Sequence, residues 1–270
     1  MTQHCNPILK AATLCLLALT TAASRAQAPA AQTPSAPTAT PSQRDQSFYV
    51  SQLPKPAPVL YRNLIFLDAA HGGSDTGARL PNNVLEKDVT LALASRIKAL
   101  LAAAGFYVVS SHETDTDMTT DQRAEIANHA RPAACIVLHA TSTGSGVHIF
   151  TSALTAPDDP TAAPRVLPWD TAQAYTLPQS LRVANQIGLA FTDAKLPVIL
   201  TQATVRPLDN LTCPAVAIEL APLASGSSSF RPTDSGYQQR VAQAIATALT
   251  TWRTLNAPPP SQANPTGVPR

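Results

Sequence analysis

Short apolar runs alternate along the chain with stretches that repeat at helical spacing. A buried strand is indicated where an apolar run ends at a polar residue and a turn, as in Leu64-Ile65-Phe66-Leu67-Asp68. A helix is predicted over 86–104, where apolar residues recur on one face and Gly105 follows. In chain order, the predicted strands are 63–68, 106–110, 135–140, 146–151, 198–205 and 214–220, and the further predicted helices are 119–130, 179–193 and 237–254. Alternating strands and helices favour an α/β sandwich, with a mostly parallel central sheet flanked by helices.

The beginning of the chain is typical of a secretory signal peptide over 1–28. Lys10 provides a short positive region, an apolar stretch follows, and Ala26-Gln27-Ala28 is an A-x-A cleavage site. The apolar stretch is too short to span about 30 Å of hydrocarbon, so we expect cleavage and no membrane span afterwards. The sequence therefore predicts an exported protein, located in the periplasm or outside the cell.

Two further regions cannot form a core. Residues 29–60 and 257–270 are rich in Pro, Ala and Thr and predict a disordered linker and tail. The folded domain is expected over 61–256. Within it, 152–178 contains repeated prolines without a sustained period and predicts an irregular insertion.

Charge and cysteine content narrow the possible partners and the compartment. The signal peptide carries two of the 19 basic residues and none of the 17 acidic ones, so the mature chain is formally neutral and nucleic acid is not an expected partner. Of four cysteines, Cys135 and Cys213 remain, each just before a predicted strand. Two alternatives are open for this pair: a disulfide, which an exported protein can form, or two buried thiols.

Four side chains capable of metal or proton chemistry stand at the ends or starts of predicted elements. His71 follows the first strand, Glu86 opens the first helix, and His139 and Glu219 each end an otherwise apolar strand. Chemistry in an open α/β sheet gathers at the carboxyl ends of its strands. Two histidines and a glutamate with an open fourth position form a catalytic zinc site, and a further carboxylate can act as base.

The spacing of these residues resembles the zinc-dependent N-acetylmuramoyl-L-alanine amidases, specifically the amidase type 3 catalytic domain. That family typically shows D-P-G-H-G-G-x-D-x-G-A followed by E-K-D. The matching segments are Asp68-Ala69-Ala70-His71-Gly72-Gly73-Ser74-Asp75-Thr76-Gly77-Ala78, Glu86-Lys87-Asp88, Arg123-Ala124-Glu125-Ile126-Ala127-Asn128, Ile136-Val137-Leu138-His139-Ala140 and Pro214-Ala215-Val216-Ala217-Ile218-Glu219. The resemblance covers about 62–255 and implies a zinc-exopeptidase-like sandwich.

The resemblance implies a role for each residue. His71, Glu86 and His139 would bind Zn²⁺, and Glu219 would act as general base and acid. The implied reaction is hydrolysis of the amide bond between N-acetylmuramic acid and L-alanine in peptidoglycan, in cell-wall remodelling or daughter-cell separation. Asp68 is a candidate for orienting a ligand histidine. The alternative is that Asp68 is simply a polar residue at the end of a strand.

Arg123 and Asn128 are expected to brace the site or cap backbone groups. Three further histidines are expected not to bind metal: His112, His129 and His148. His148 is expected to face solvent.

The chain departs from the family pattern beside the four candidate site residues. Ala69-Ala70 replace Pro-Gly, Thr141 stands in place of Asn, and the residues after Glu219 lack the usual Gly/Ser-Phe and final Asn. The wall on the substrate side is therefore expected to differ from that of the family.

These departures leave two other functions open: a degenerate domain that binds peptidoglycan or a partner without cleaving, and a zinc amidohydrolase or peptidase for another substrate. Some relatives have a blocking helix at the position of 152–178, so an autoinhibitory lid and an activator protein are hypotheses here. Asp158, Asp159 or Asp170 would supply the blocking carboxylate. We expect a monomer; glycan and crosslink preference do not follow from the sequence.

Overall fold

A six-stranded sheet forms the centre of the computed structural model, which describes residues 61–159, 166–225 and 228–256. The order of the strands is β2-β1-β3-β6-β4-β5, and every adjacent pair is parallel except β4 and β6. The strands are β1 Tyr61–Ala69, β2 Tyr107–Ser110, β3 Pro132–Ala140, β4 Val147–Ser152, β5 Val198–Ala203 and β6 Ala215–Leu220. The prediction of a mostly parallel sheet is confirmed.

Helices cover both faces of this sheet. They are α1 Glu86–Ala103, α2 Thr120–Ala130, α3 Leu177–Asp193 and α4 Ser235–Leu255. Apolar side chains of α1, α3 and α4 pack with one another and with alternate strand residues such as Leu67 and Ile136. On the opposite face, α2 packs against Phe66, Val137 and Ala217. The predicted α/β sandwich is thus confirmed, and the two apolar clusters show which side each strand residue faces.

Two local features differ from the prediction. A small hairpin, β7 Leu223–Ser225 and β8 Ser228–Phe230, follows β6 where no strand was expected. The end of the segment predicted to be irregular is helical, with a 3₁₀ helix over Trp169–Tyr175 and α3 beginning at Leu177. A proline in the first turn of a helix is tolerated because the N–H it lacks has no partner there, and Pro178 therefore does not end the helical region.

A disulfide joins two central strands. Cys135 on β3 is bonded to Cys213, immediately before β6, with their Cα atoms 6.1 Å apart. This resolves the pairing that the sequence left open. The bond crosslinks the middle of β3 to the segment before β6, and the carboxyl ends of these two strands carry His139 and Glu219.

Several predictions concern residues outside those described: the signal peptide over 1–28, the linker over 29–60 and the tail over 257–270. Among the described helices, none is both long enough and apolar enough to cross a membrane.

Candidate active site

A tight turn after β1 presents His71. The backbone φ is +68° at His71, +141° at Gly72 and +58° at Gly73. A Cβ at Gly72 would lie 2.5 Å from the carbonyl oxygen of Thr116, and one at Gly73 would lie 2.3 Å from Cγ of Asp117. The two glycines therefore let a neighbouring loop close against the turn, which fixes where His71 points.

Glu86, the first residue of α1, lies between the two histidines. Its Oε1 accepts hydrogen bonds from Nδ1 of His139 at 2.9 Å and from the backbone N–H of Ala140 at 3.1 Å. Its Oε2 accepts the N–H of Ala78 at 2.8 Å and lies 3.1 Å from Nε2 of His71. The side chain of Glu86 is only 7% exposed. The fold thus brings the three predicted metal ligands together from the β1 turn, the start of α1 and the end of β3.

The chemistry of these side chains suits zinc. One potential ligand atom from each of His71, Glu86 and His139 lies within 4.8 Å of the other two, and no other such group occurs in the described part of the chain. Two imidazoles and one carboxylate leave a fourth position open, as catalytic zinc sites do. Calcium and magnesium prefer oxygen ligands throughout, so the two nitrogen donors favour zinc.

The charges around the site favour a cation between the ligands. Burial by itself raises the pKa of Glu86, but hydrogen bonds from His139, from His71 and from two backbone N–H groups outweigh burial and hold that pKa well below its usual range. The pKa of His71 is raised, chiefly by its hydrogen bond to Glu86, with Asp75 adding to the effect and burial opposing it. The carboxylates therefore stabilise positive charge at this point.

Asp75 contacts the ring of His71, and the sequence analysis missed this contact. Its Oδ2 accepts a hydrogen bond from Nδ1 of His71 at 2.9 Å. The turn holds Asp75 in place, because the N–H of Gly72 donates to its backbone carbonyl at 2.8 Å and the N–H of Gly77 donates to its Oδ1 at 3.1 Å. A carboxylate on the second ring nitrogen fixes the tautomer and orientation of a ligand histidine. The available signal was the acidic residue four positions after His71 in the glycine-rich motif.

The prediction that Asp68 orients a ligand histidine is wrong. Asp68 is fully buried, and its Oδ1 accepts a hydrogen bond from Nη1 of Arg123 at 2.6 Å. Arg123 also donates to the carbonyl oxygens of Ala69 at 2.6 Å and His71 at 2.7 Å. Asp68 shares the sheet face of Phe66, which packs on α2, so its carboxylate meets an arginine of α2 and supports His71 only through the backbone.

The expected bracing roles of Arg123 and Asn128 are confirmed. Arg123 fixes the carbonyl oxygen of His71, as described above. Asn128 holds the loop that leads into β6, because its amide donates to the carbonyl of Asn210 at 2.9 Å and its Oδ1 accepts the N–H of Thr212 at 2.8 Å.

Glu219, the predicted base, lies on β6 beside His139, the predicted metal ligand of β3. The parallel register pairs His139 directly with Glu219, so both side chains project from the same face of the sheet. On the other side of β6, the antiparallel strand β4 places His148 opposite Glu219. Nδ1 of His148 lies 3.0 Å from Oε1 of Glu219. Three side chains from adjacent strands therefore form a row: His139, Glu219 and His148.

The expectation that His148 faces solvent is wrong. Its side chain is only 18% exposed and contacts Glu219. Strand alternation predicts that His148 and Phe150 lie on the same face of the sheet. It does not predict which strand pairs with β4, and that pairing determines which side chain His148 contacts. Neither His112 nor His129 belongs to the His71–Glu86–His139 cluster found among the described residues, and the expectation that they bind no metal remains a prediction.

A cleft of about 610 Å³ lies beside the two histidines predicted to bind metal. His71, His139, Met118 and Arg206 are among the residues that line it. The described residues of 152–178 contribute nothing to this lining. An autoinhibitory carboxylate from Asp158, Asp159 or Asp170 therefore remains a prediction.

Comparison with known proteins agrees with this site. The family model described as N-acetylmuramoyl-L-alanine amidase matches residues 65–251, which is more than half of the chain. The chain belongs to the N-acetylmuramoyl-L-alanine amidase family. All four predicted site residues lie within the matched region.

Individual relatives of this amidase domain are distant. The germination-specific N-acetylmuramoyl-L-alanine amidase of Bacillus subtilis is 26% identical over 220 residues, covering 73% of this chain and 82% of the relative. The amidase LytC of Bacillus subtilis is 28% identical over 183 residues, which covers 67% of this chain but only 34% of LytC. The catalytic domain of CwlV from Bacillus (Paenibacillus) polymyxa var. colistinus has the same fold, with a TM-score of 0.54 and 22% identity, over 70% of this chain and 97% of that domain.

Proposed function

We propose that this amidase is zinc-dependent and hydrolyses the amide bond between the lactyl group of N-acetylmuramic acid and L-alanine of the peptidoglycan stem peptide. The observation that carries the proposal is the convergence of His71, Glu86 and His139, with Glu219 next to His139 on the adjacent strand. Membership of the amidase family supports the choice of bond.

Each residue has a distinct part in the proposed reaction. His71, Glu86 and His139 would hold the ion, which would supply a water of lowered pKa, toward about 7, and Lewis-acid polarisation of the scissile carbonyl. Glu219 removes a proton from the attacking water and later gives it to the leaving amine of L-alanine. Asp75 holds the ring of His71 in the required tautomer.

Export also belongs to the proposal. Peptidoglycan lies outside the cytoplasmic membrane, and the signal peptide expected over 1–28 would deliver the enzyme to the periplasm or the outside medium. The disulfide between Cys135 and Cys213 supports this, because such bonds persist in oxidising compartments. Peptidoglycan is the proposed partner, and regulation by an activator protein remains a hypothesis.

Digestion of purified sacculi tests the function directly. The protein is incubated with added zinc, with a chelator, and as the Glu219→Gln variant, and the soluble products are sequenced and weighed by mass spectrometry. We expect free stem peptides with an L-alanine amino terminus, absent with chelator and in the variant. Products cleaved within the stem peptide would instead indicate a zinc peptidase, and zinc binding with no product would indicate a binding domain.

A further inference from the structure

His148 is positioned against the predicted base by the sheet itself. The antiparallel register of β4 and β6 places its Cα opposite that of Glu219, and Nδ1 of His148 lies 3.0 Å from Oε1 of Glu219. Both side chains are largely buried, at 18% exposed for His148 and 29% for Glu219. This contact therefore depends on strand pairing rather than on a mobile surface loop.

The other nitrogen of the ring also lies near an acceptor. Nε2 of His148 lies 3.2 Å from the backbone carbonyl oxygen of Ser145. A carbonyl and a carboxylate both accept hydrogen bonds, so the imidazole is the donor in each contact. With its proton on Nδ1, the ring donates to Oε1 of Glu219, and with a proton on each nitrogen it donates to both oxygens.

The surroundings of the imidazole restrict its motion. The ring of Phe150 lies edge-on to it, with centroids 6.3 Å apart. Gly144 closes over the ring, because a Cβ built there would lie only 3.0 Å from Cε1 of His148. An imidazole fixed by a carbonyl, an aromatic ring and the 144–146 loop is a rigid support for a flexible glutamate.

We propose that His148 is a positioning residue for Glu219 in the hydrolysis described above. By engaging Oε1, it holds the carboxyl group so that Oε2 is the oxygen available to water and to the leaving amine. The proposal rests on the proposed function for its kinetic consequences, but the hydrogen-bond pattern of His148 stands without it.

Three variants separate this role from simple packing. His148→Phe keeps a ring and removes both hydrogen bonds, whereas His148→Asn retains a polar group near the position of Nδ1. His129→Phe is the matched control, because His129 is exposed on α2 and is not part of the cluster. Kinetics use a soluble muropeptide with the intact lactyl–L-alanine amide.

We expect His148→Phe to lower kcat by about 10- to 100-fold with KM within about twofold of the parent. His148→Asn should recover most of that loss, and His129→Phe should leave kcat and KM unchanged. Bound zinc and Tm should match the parent in all three. An unaltered kcat in a folded His148→Phe, or equal losses in the Phe and Asn variants, would overturn the proposal.

A spectroscopic measurement tests the contact without any catalysis. Long-range ¹H–¹⁵N spectra of the protein should assign His148 a proton on Nδ1, and Glu219→Gln should shift the Nδ1 resonance of His148 while leaving that of His129 in place. An unprotonated Nδ1, or an Nδ1 resonance that ignores Glu219→Gln, would refute the pairing. If the protein cleaved no peptidoglycan, this measurement would still decide whether His148 contacts Glu219. A failure of the proposed function can therefore be distinguished from a failure of this inference.

Discussion

The two sides of the candidate site are built in different ways. The ligand side consists of the turn over 69–78 with the start of α1, and it is held by left-handed backbone and close glycine contacts. The base side consists of the end of β6 and the start of β4, and it is held by regular strand pairing. The departures of the chain from the family pattern after Glu219 lie on the base side. Backbone pairing of β6 with β3 and β4 sets the Cα positions of Glu219 and His148 on that side.

The ligand side also contains a departure, and the structure shows how it is accommodated. Ala69-Ala70 replace Pro-Gly, yet the carbonyl oxygen of Ala69 accepts from Arg123 and that of Ala70 accepts from Oγ1 of Thr90 at 2.8 Å. The N–H of Ala70 donates to the carbonyl of Leu138 at 3.0 Å. These contacts hold the strand end that leads to His71. The comparison teaches that the position of a side chain on a turn depends on individual contacts. The position of a side chain at a strand end depends on how that strand pairs with its neighbours.

Glu219→Gln should have the largest effect and should separate the two sides functionally. The amide keeps the shape of the side chain but cannot take the proton of water, so kcat should fall by about 10³-fold. Zinc affinity should not change, because Glu219 is not one of the three predicted ligands. Glu125→Gln, an exposed change on α2, is the matched control. A variant that lost zinc together with activity would show that the two sides are not independent.

Gly77→Ala should damage the ligand side next most strongly. Gly77 has φ of +62°, and a Cβ there would lie 2.5 Å from Cδ2 of His71 and 2.7 Å from Oε2 of Glu86. Displacement of both ligands should weaken zinc binding by about 100-fold, measured by competition with a chelator. Gly236→Ala is the control, since a Cβ there would meet nothing within 4 Å. Parent-like zinc affinity in Gly77→Ala would contradict the claim that close glycine contacts fix this side.

Asp75→Asn should have a smaller effect on the same side. The amide can still accept a hydrogen bond from Nδ1 of His71, but it removes the negative charge that favours a cation nearby. We expect zinc affinity to fall by about 10-fold and activity at saturating zinc to recover. Asp193→Asn, exposed at the end of α3, is the charge-matched control. Equal zinc affinity in Asp75→Asn and Asp193→Asn would show that Asp75 does not contribute to zinc binding.

The sequence was informative where local contacts decide the structure. The turn around His71 and the helix that opens at Glu86 could be predicted because their glycines, spacing and apolar face are local signals. His139 and Glu219 could be predicted because each ends a buried apolar strand.

The remaining features depend on contacts between distant segments. The antiparallel placement of β4 decides the partner of His148, and the packing of α2 decides the partner of Asp68. The β7–β8 hairpin consists of strands too short to give a periodic signal in the sequence. The sequence pattern places Pro178 before the start of the helix, although the first turn of a helix accepts proline.

Tyr237→Phe should have the smallest effect and should act on the base side alone. The buried hydroxyl of Tyr237 lies 3.2 Å from the carbonyl oxygens of Gly146 and Ala221, and so ties the start of β4 to the end of β6. Its loss should lower the free energy of unfolding by about 1 kcal/mol, measured by denaturant titration, with zinc affinity unchanged.

The pH dependence of that difference provides a further check. Burial raises the pKa of Tyr237 to about 12, above its ordinary value of 10.0. The folded state therefore retains the phenolic proton better than the unfolded state, so this contribution to stability is complete below about pH 10 and is lost as the pH rises toward about 12. The gap between the parent and Tyr237→Phe should consequently narrow over that range. A gap that stayed constant would show that the hydroxyl is not held in the buried link between β4 and β6, and the base side would then depend on strand pairing alone.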